Sequence, residues 1–133
     1  MVEAEILTVP LFSQISQRSA ELVAAGAVTA VAAGQVLAQA GDPAAGMFVV
    51  LEGSVVVERG DLHVPIEHGG FFGELALLVP DSPRIARVRA KSDARILAVP
   101  RETFDVLIDN EPAFTRHLLT EVARRLVEAR SGH

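Results

Sequence analysis

Apolar positions along the chain change their spacing twice, and each change marks a change of structure. From about Val9 to Ala25 they recur at helical intervals. Ser16 offers a helix cap, Leu22 and Val23 follow at core-facing spacing, and Phe12 and Ile15 supply apolar anchors just before. From about Ala27 to Val99 the spacing shortens to that of strands. Gly34, Gly41-Asp42-Pro43, Gly46, Gly53, Gly60-Asp61 and Gly69-Gly70 punctuate short β-rich runs at 35–37, 47–51, 54–58, 64–66, 86–90 and 95–99. Val55 and Val57 alternate with Val56 and Glu58 as in a half-buried strand. From Pro100 the helical period returns. Phe104, Leu107 and Ile108 mark one face of a short helix. Asn110-Glu111-Pro112 interrupts it, and Pro112 suits the first turn of the next. There Phe114, Leu118, Leu119, Val122, Ala123 and Leu126 recur at helical spacing, with Arg116, Glu121, Arg124 and Arg125 on the polar side. The pattern predicts one domain over 1–133, mainly β with flanking helices: an N-terminal helical segment at 9–26, an antiparallel β-roll (a jelly-roll-like barrel) at 27–99, and two C-terminal helices at 100–130.

Composition narrows the function classes. Half of the residues, 50%, are hydrophobic, with no Trp and no Tyr, so the core is built from aliphatic side chains and six Phe. The net charge of −5 argues against a nucleic-acid partner, because phosphate backbones demand a basic surface. The absence of Cys excludes disulfides and thiolate metal sites and suits a reducing cytoplasm. Met1 to Glu5 carries two acids and no base, unlike the start of a signal peptide. The most apolar run, Leu22 to Ala33, is far short of the ~20 residues of a membrane span. These features read as a soluble, cytoplasmic protein. His63, His68, His117 and His133 are scattered without metal-ligand spacing, and Ser82 has no histidine or second carboxylate near it in sequence. Neither a metal, nor a cofactor, nor an enzyme is expected.

The most informative stretch runs Gly69-Gly70-Phe71-Phe72-Gly73-Glu74-Leu75-Ala76-Leu77-Leu78 and continues through Pro83-Arg84-Ile85-Ala86. Good helix formers at 74–78 interrupt a strand-rich region. A single helical turn set into a barrel leaves its first N–H groups unpaired, and a preceding glycine lets another molecule approach them. Arg84, shortly downstream, carries a fork of donors that matches two phosphate oxygens. Glu74 is a carboxylate beside an anion site, which is unfavourable unless it accepts hydrogen bonds, and a sugar hydroxyl would supply them. The residues therefore point to a small phosphorylated ligand. Phe71 and Phe48 are assigned to the barrel core, and Arg87, Arg89 and Lys91, alternating along a strand, to a solvated face.

Phe72-Gly73-Glu74-Leu75-Ala76-Leu77-Leu78 followed by Pro83-Arg84-Ile85-Ala86 resembles the phosphate-binding cassette of cyclic-nucleotide-binding domains, the module of protein kinase A regulatory subunits, cyclic-nucleotide-gated channels and the catabolite activator protein. Gly34, Gly41-Asp42, Phe48-Val49-Val50 and Gly53 resemble that family's earlier strands and turns, and the likeness runs from Phe12 to about Leu126. The resemblance implies a non-catalytic regulatory domain in signal transduction. Glu74 would accept hydrogen bonds from the ribose 2′-hydroxyl and Arg84 would pair with the cyclic phosphate. Backbone groups at Gly73, Leu75, Ala76 and the residues after Arg84, Ile85 and Ala86, would complete the cradle, with Phe72 and Pro83 flanking it. The last helix, Phe114 to Glu128, would close over the base as a lid, with Arg125 and Leu126 as its contacts.

Two departures from the family pattern bear on the ligand. Ile85 stands where the family often has Ala, Ser or Thr. It offers no hydroxyl to guanine, so the resemblance implies cAMP first and cGMP second. No Tyr or Trp is present to stack on the base, so the lid would be aliphatic or use Arg125. The expected partners are the cyclic nucleotide, a second copy of the chain through the C-terminal helix, or an effector domain outside this chain. The alternative from another class is a degenerate fold-mate that serves as a protein-interaction module without ligand, and intact Glu74 and Arg84 argue against it.

Overall fold

The run Gly46–Glu52 is apolar at nearly every position because the strand it forms is covered on both faces. In the computed structural model, which describes residues 2–39, 41, 46–79 and 86–131, eight strands make two four-stranded antiparallel sheets. They are β1 (Val28–Val31), β2 (Val36–Ala38), β3 (Gly46–Glu52), β4 (Val55–Arg59), β5 (Leu62–Ile66), β6 (Phe71–Phe72), β7 (Arg87–Ala90) and β8 (Ala94–Pro100). The first sheet has the order β1-β8-β3-β6 and the second β2-β7-β4-β5. Val31, Val50, Phe72, Ala94 and Ile96 of the first sheet meet Ala38, Val55, Ile66, Val88 and Ala90 of the second in the interior of the roll. The other face of the first sheet presents Met47, Val49, Leu51, Phe71, Leu97 and Val99 to the helices. The central strand β3 serves both cores, so its sequence shows no period of two.

Two turns show why glycine is needed. Gly60-Asp61 is the two-residue connection of the β4–β5 hairpin, and Gly60 has φ +59°. Gly53 has φ +78°, and a Cβ there would lie 2.3 Å from the Asp93 carbonyl oxygen.

The helices are α1 (Val2–Ile6), α2 (Gln17–Ala24), α3 (Leu75–Leu78), α4 (Arg101–Asn110) and α5 (Pro112–Ser131), with a 3₁₀ turn at Pro10–Phe12. The Ser16 cap expected from the sequence is present: its side chain accepts from the Ser19 N–H. The helical segment expected over 9–26 is divided ahead of that cap. Pro10 opens the 3₁₀ turn, Ser16 is extended, and regular helix begins only at Gln17. Residues 2–6, read without structure, form α1, and Glu5 on it receives two hydrogen bonds from Arg95 of β8. Phe12 and Phe114 stack at 6.0 Å, and Phe104 meets Phe114 edge-on at 6.1 Å, so one aromatic cluster joins the 3₁₀ turn, α4 and α5.

Arg87 and Arg89 stay substantially exposed, as a solvated face would, and they also have a partner on the neighbouring strand. They close over Glu58 on β4, which is only 8% exposed. Arg87 Nε donates to Glu58 Oε1 at 2.9 Å and Arg89 Nη2 to Oε2 at 2.8 Å. The bond from Arg89 pulls the Glu58 carboxyl from its ordinary 4.5 down to about 2, overcoming the opposing effect of burial, and Arg87 adds to the pull. A depressed carboxylate stabilises the fold above its unfolded value, and that stabilisation is lost as pH falls through the folded value. Thermal stability is therefore expected to drop between pH 4.5 and about 2. Glu58→Gln should flatten part of that slope, leaving the share of Glu5 and Glu111, which are also lowered. An unchanged slope in melting scans of the variant would contradict this assignment.

Candidate functional site

β6 leads directly into the site. Phe71 turns toward the helical core and Phe72 into the roll. Gly73, at φ +88°, then bends the chain into the left-handed region that a side chain disfavours. Glu74 follows as the residue that opens α3, and its carbonyl accepts from the N–H groups of Leu77 and Leu78, both at 3.0 Å. Ala76 and Leu77 are buried, and Leu77 joins the helical core, which anchors the short turn. Leu75, Leu78 and Val79 stay exposed.

Glu74 is 3% exposed, unusual for a carboxylate. Its described side-chain partner is Arg125, 51 residues away on α5, whose Nη1 donates to Glu74 Oε1 at 3.2 Å. Arg125 Nη2 donates to the Phe71 carbonyl at 2.7 Å, and the guanidinium lies 4.5 Å from the centre of the Phe71 ring. Burial pushes the Glu74 carboxyl above its ordinary value, and the Arg125 charge opposes that rise. The last helix thus reaches the cassette turn and stabilises the charged form of the carboxylate on it.

The structure brings Phe72, Gly73, Glu74, Leu75, Ala76 and Arg125 into one neighbourhood. Pro83, Arg84 and Ile85 lie outside the described residues. Ala86 is half-buried just before β7. Leu126 is 60% exposed, and of the apolar positions expected along this helix Phe114 and Leu118 are buried while Leu119 is exposed. The sequence reading did not foresee the Glu74–Arg125 pair or the role of Phe71, whose carbonyl and ring hold the arginine. Two opposite charges 51 positions apart give no local signal.

A cavity of about 230 Å³ opens between the sheets. Val31, Phe48, Phe72 and Ile96 line it, with Thr29 and Gln35 as its polar groups. Phe48 and Phe72 stack there with centroids 5.2 Å apart, so Phe48 forms a wall of the cavity.

Two sheets rolled around one interior, helices at both ends of the chain and a glycine-led turn carrying a buried glutamate define the cyclic-nucleotide-binding architecture. The family model of the cyclic nucleotide-binding domain matches residues 28–111, and the chain belongs to that family. A cyclic nucleotide-gated potassium channel from Rhizobium etli is 31% identical over 128 residues, covering 96% of this chain and 35% of the channel. A cAMP-dependent protein kinase regulatory subunit from Blastocladiella emersonii is 33% identical over 115 residues, covering 81% of this chain and 28% of the subunit. The chain spans about a third of the length of these relatives. A solved structure from a cyclic-GMP-dependent signalling pathway that regulates bacterial phytopathogenesis superposes with TM-score 0.67 at 32% identity, covering 77% of this chain and 85% of that one. Among the described residues no helix is long and apolar enough to cross a membrane.

Proposed function

We propose that this domain is a non-catalytic, cytoplasmic sensor for a cyclic purine nucleotide. Glu74 takes the ribose 2′-hydroxyl, Arg84 takes the cyclic phosphate with the backbone N–H groups of the cassette, and α5 serves as the lid. The observation that carries this reading is the buried, arginine-partnered Glu74 on a glycine-led turn. A buried carboxylate costs stability unless something uses it, and a vicinal hydroxyl is a donor suited to it. The contact from Arg125 supports α5 as the moving part, because this helix already touches the cassette. A ligand that binds one placement of α5 better than another shifts it by that difference in affinity. Ile85 favours cAMP over cGMP in this reading, since guanine finds no hydroxyl there. The named relatives span both ligands: a cAMP-dependent kinase subunit and a structure from a cyclic-GMP pathway.

A test of the ribose role uses Glu74→Gln. The amide oxygen still accepts, so the variant should lose about 1–2 kcal/mol of cAMP binding. Binding of 2′-deoxy-cAMP should hardly change. Equal losses for both ligands would place the action of Glu74 elsewhere.

A second use of α5 is favoured by its exposed apolar residues. Leu119 is 67%, Leu126 60% and Val127 61% exposed. They suit contact with a second copy or with an effector domain, which would then feel the position of the lid.

A further inference from the structure

Glu111 is buried between two helices, and neither the ligand site nor the fold pattern explains why a carboxylate stands there. It is 9% exposed. Its main chain belongs to the α4–α5 joint: its N–H donates to the Leu107 carbonyl at 2.9 Å, and its carbonyl accepts from Thr115 N–H at 3.1 Å. Its side chain belongs to α2. Oε1 accepts from the Ser16 N–H at 3.1 Å. Oε2 accepts from Ser16 Oγ at 2.7 Å and from Ser19 Oγ at 2.5 Å. Ser16 Oγ in turn accepts from the Ser19 N–H, closing the cap of α2. A carboxylate at a helix N-terminus also meets the positive end of the helix dipole. One residue therefore completes the start of α2 and forms the corner from which α5 departs. The Phe12–Phe114 stack lies on the same corner, and Thr115 Oγ1 donates across it to the Ile108 carbonyl at 3.1 Å.

We infer that Glu111 is a positioning residue that couples α2 to the α4–α5 joint, so that the ligand state of the pocket is readable on the N-terminal helices. This rests on the sensor reading for its ligand-driven part, but the coupling itself exists without ligand. At its far end α5 meets the cassette through Arg125 and Glu74, and at its near end it is tied to α2 through Glu111. A change of tilt at one end of such a helix is felt at the other. Charge-assisted hydrogen bonds to a buried carboxylate give this joint a defined geometry, which aromatic packing alone leaves looser. Ser19, itself 6% exposed, is committed to the joint.

Hydrogen exchange read by mass spectrometry tests this, with cAMP as the probe. In the ligand-free domain, Glu111→Ala should raise amide exchange by at least about tenfold both in α2 and in the first two turns of α5, as loss of bonds to a charged group implies. A rise confined to one of the two helices would overturn the coupling whether or not any nucleotide binds. With cAMP, the unmodified domain should change exchange at the cassette, in α5 and in α2. Glu111→Ala should keep cAMP affinity within about threefold, since Glu111 is remote from Glu74, yet lose the change in α2, and Glu111→Gln should restore part of it. A response of α2 that persists undiminished in Glu111→Ala would also overturn the inference. Failure of the unmodified domain to bind any cyclic nucleotide would count against the sensor reading, and the ligand-free comparison would still decide the coupling. If Glu111→Ala does not fold, Ser19→Ala removes a single bond of the same joint, and the same two-helix comparison applies.

Discussion

Arg84→Ala is expected to remove most of the affinity for cAMP while the domain stays folded. The reasoning is electrostatic. A cyclic phosphate carries one negative charge spread over two exocyclic oxygens, and a guanidinium fork meets both at once. Truncating one partner of a desolvated, hydrogen-bonded charge pair costs about 2–5 kcal/mol. That corresponds to roughly 30- to several-thousand-fold in Kd. Arg84→Lys should recover only part, because an ammonium is a point charge and cannot make the fork. Titration calorimetry on both variants, with melting curves to verify folding, reads the result. Near-unmodified affinity in the alanine variant would remove Arg84 from the site.

Phe114→Ala is expected to be the most damaging single truncation outside the site. Phe114 is fully buried where the 3₁₀ turn, α4 and α5 meet, stacked on Phe12 and edge-on to Phe104. Removing a buried Phe to Ala costs about 3–5 kcal/mol through lost transfer energy and the cavity left behind. Three elements from distant parts of the sequence surround the gap, so collapse to fill it is limited. Phe114→Leu should cost clearly less. Denaturant unfolding with an unchanged slope and a lowered midpoint would report this loss as one of stability. A loss below about 1 kcal/mol would mean that the corner can repack, in the way well-tolerated core swaps do.

The parts legible in the sequence are those specified locally. Short β-rich runs bounded by Gly and Pro marked most strands, and the Ser16 cap and the break at Pro112 were visible because capping and proline act within a turn. β1 was missed because two of its four residues, Thr29 and Ala30, are exposed, so it lacks an apolar period. β6 has only two residues, too few to show any period. Within the helical segment expected at 9–26, Pro10 opens a 3₁₀ turn and the regular helix starts after the Ser16 cap. Arg87 and Arg89 alternate along a largely solvated face as expected, but their pairing with Glu58 was not legible, because a sheet pairs residues that sequence separation hides. The cassette was legible as a motif: Gly73 and Glu74 stand where the turn needs them. What joins the cassette to the rest was not. Glu74 meets Arg125 and Glu111 meets Ser16 and Ser19 only after the helices pack. Long-range polar pairs of this kind leave no periodic trace, and they are where the domain's regulation is expected to reside.

The most direct test of the central claim is isothermal titration of the purified domain with cAMP, cGMP and 5′-AMP under one buffer and salt. The account predicts one site per chain, with cAMP bound more tightly than cGMP, and 5′-AMP much more weakly because its dianionic, open phosphate does not match the cradle. No binding of either cyclic nucleotide, or 5′-AMP binding as tightly as cAMP, would contradict it.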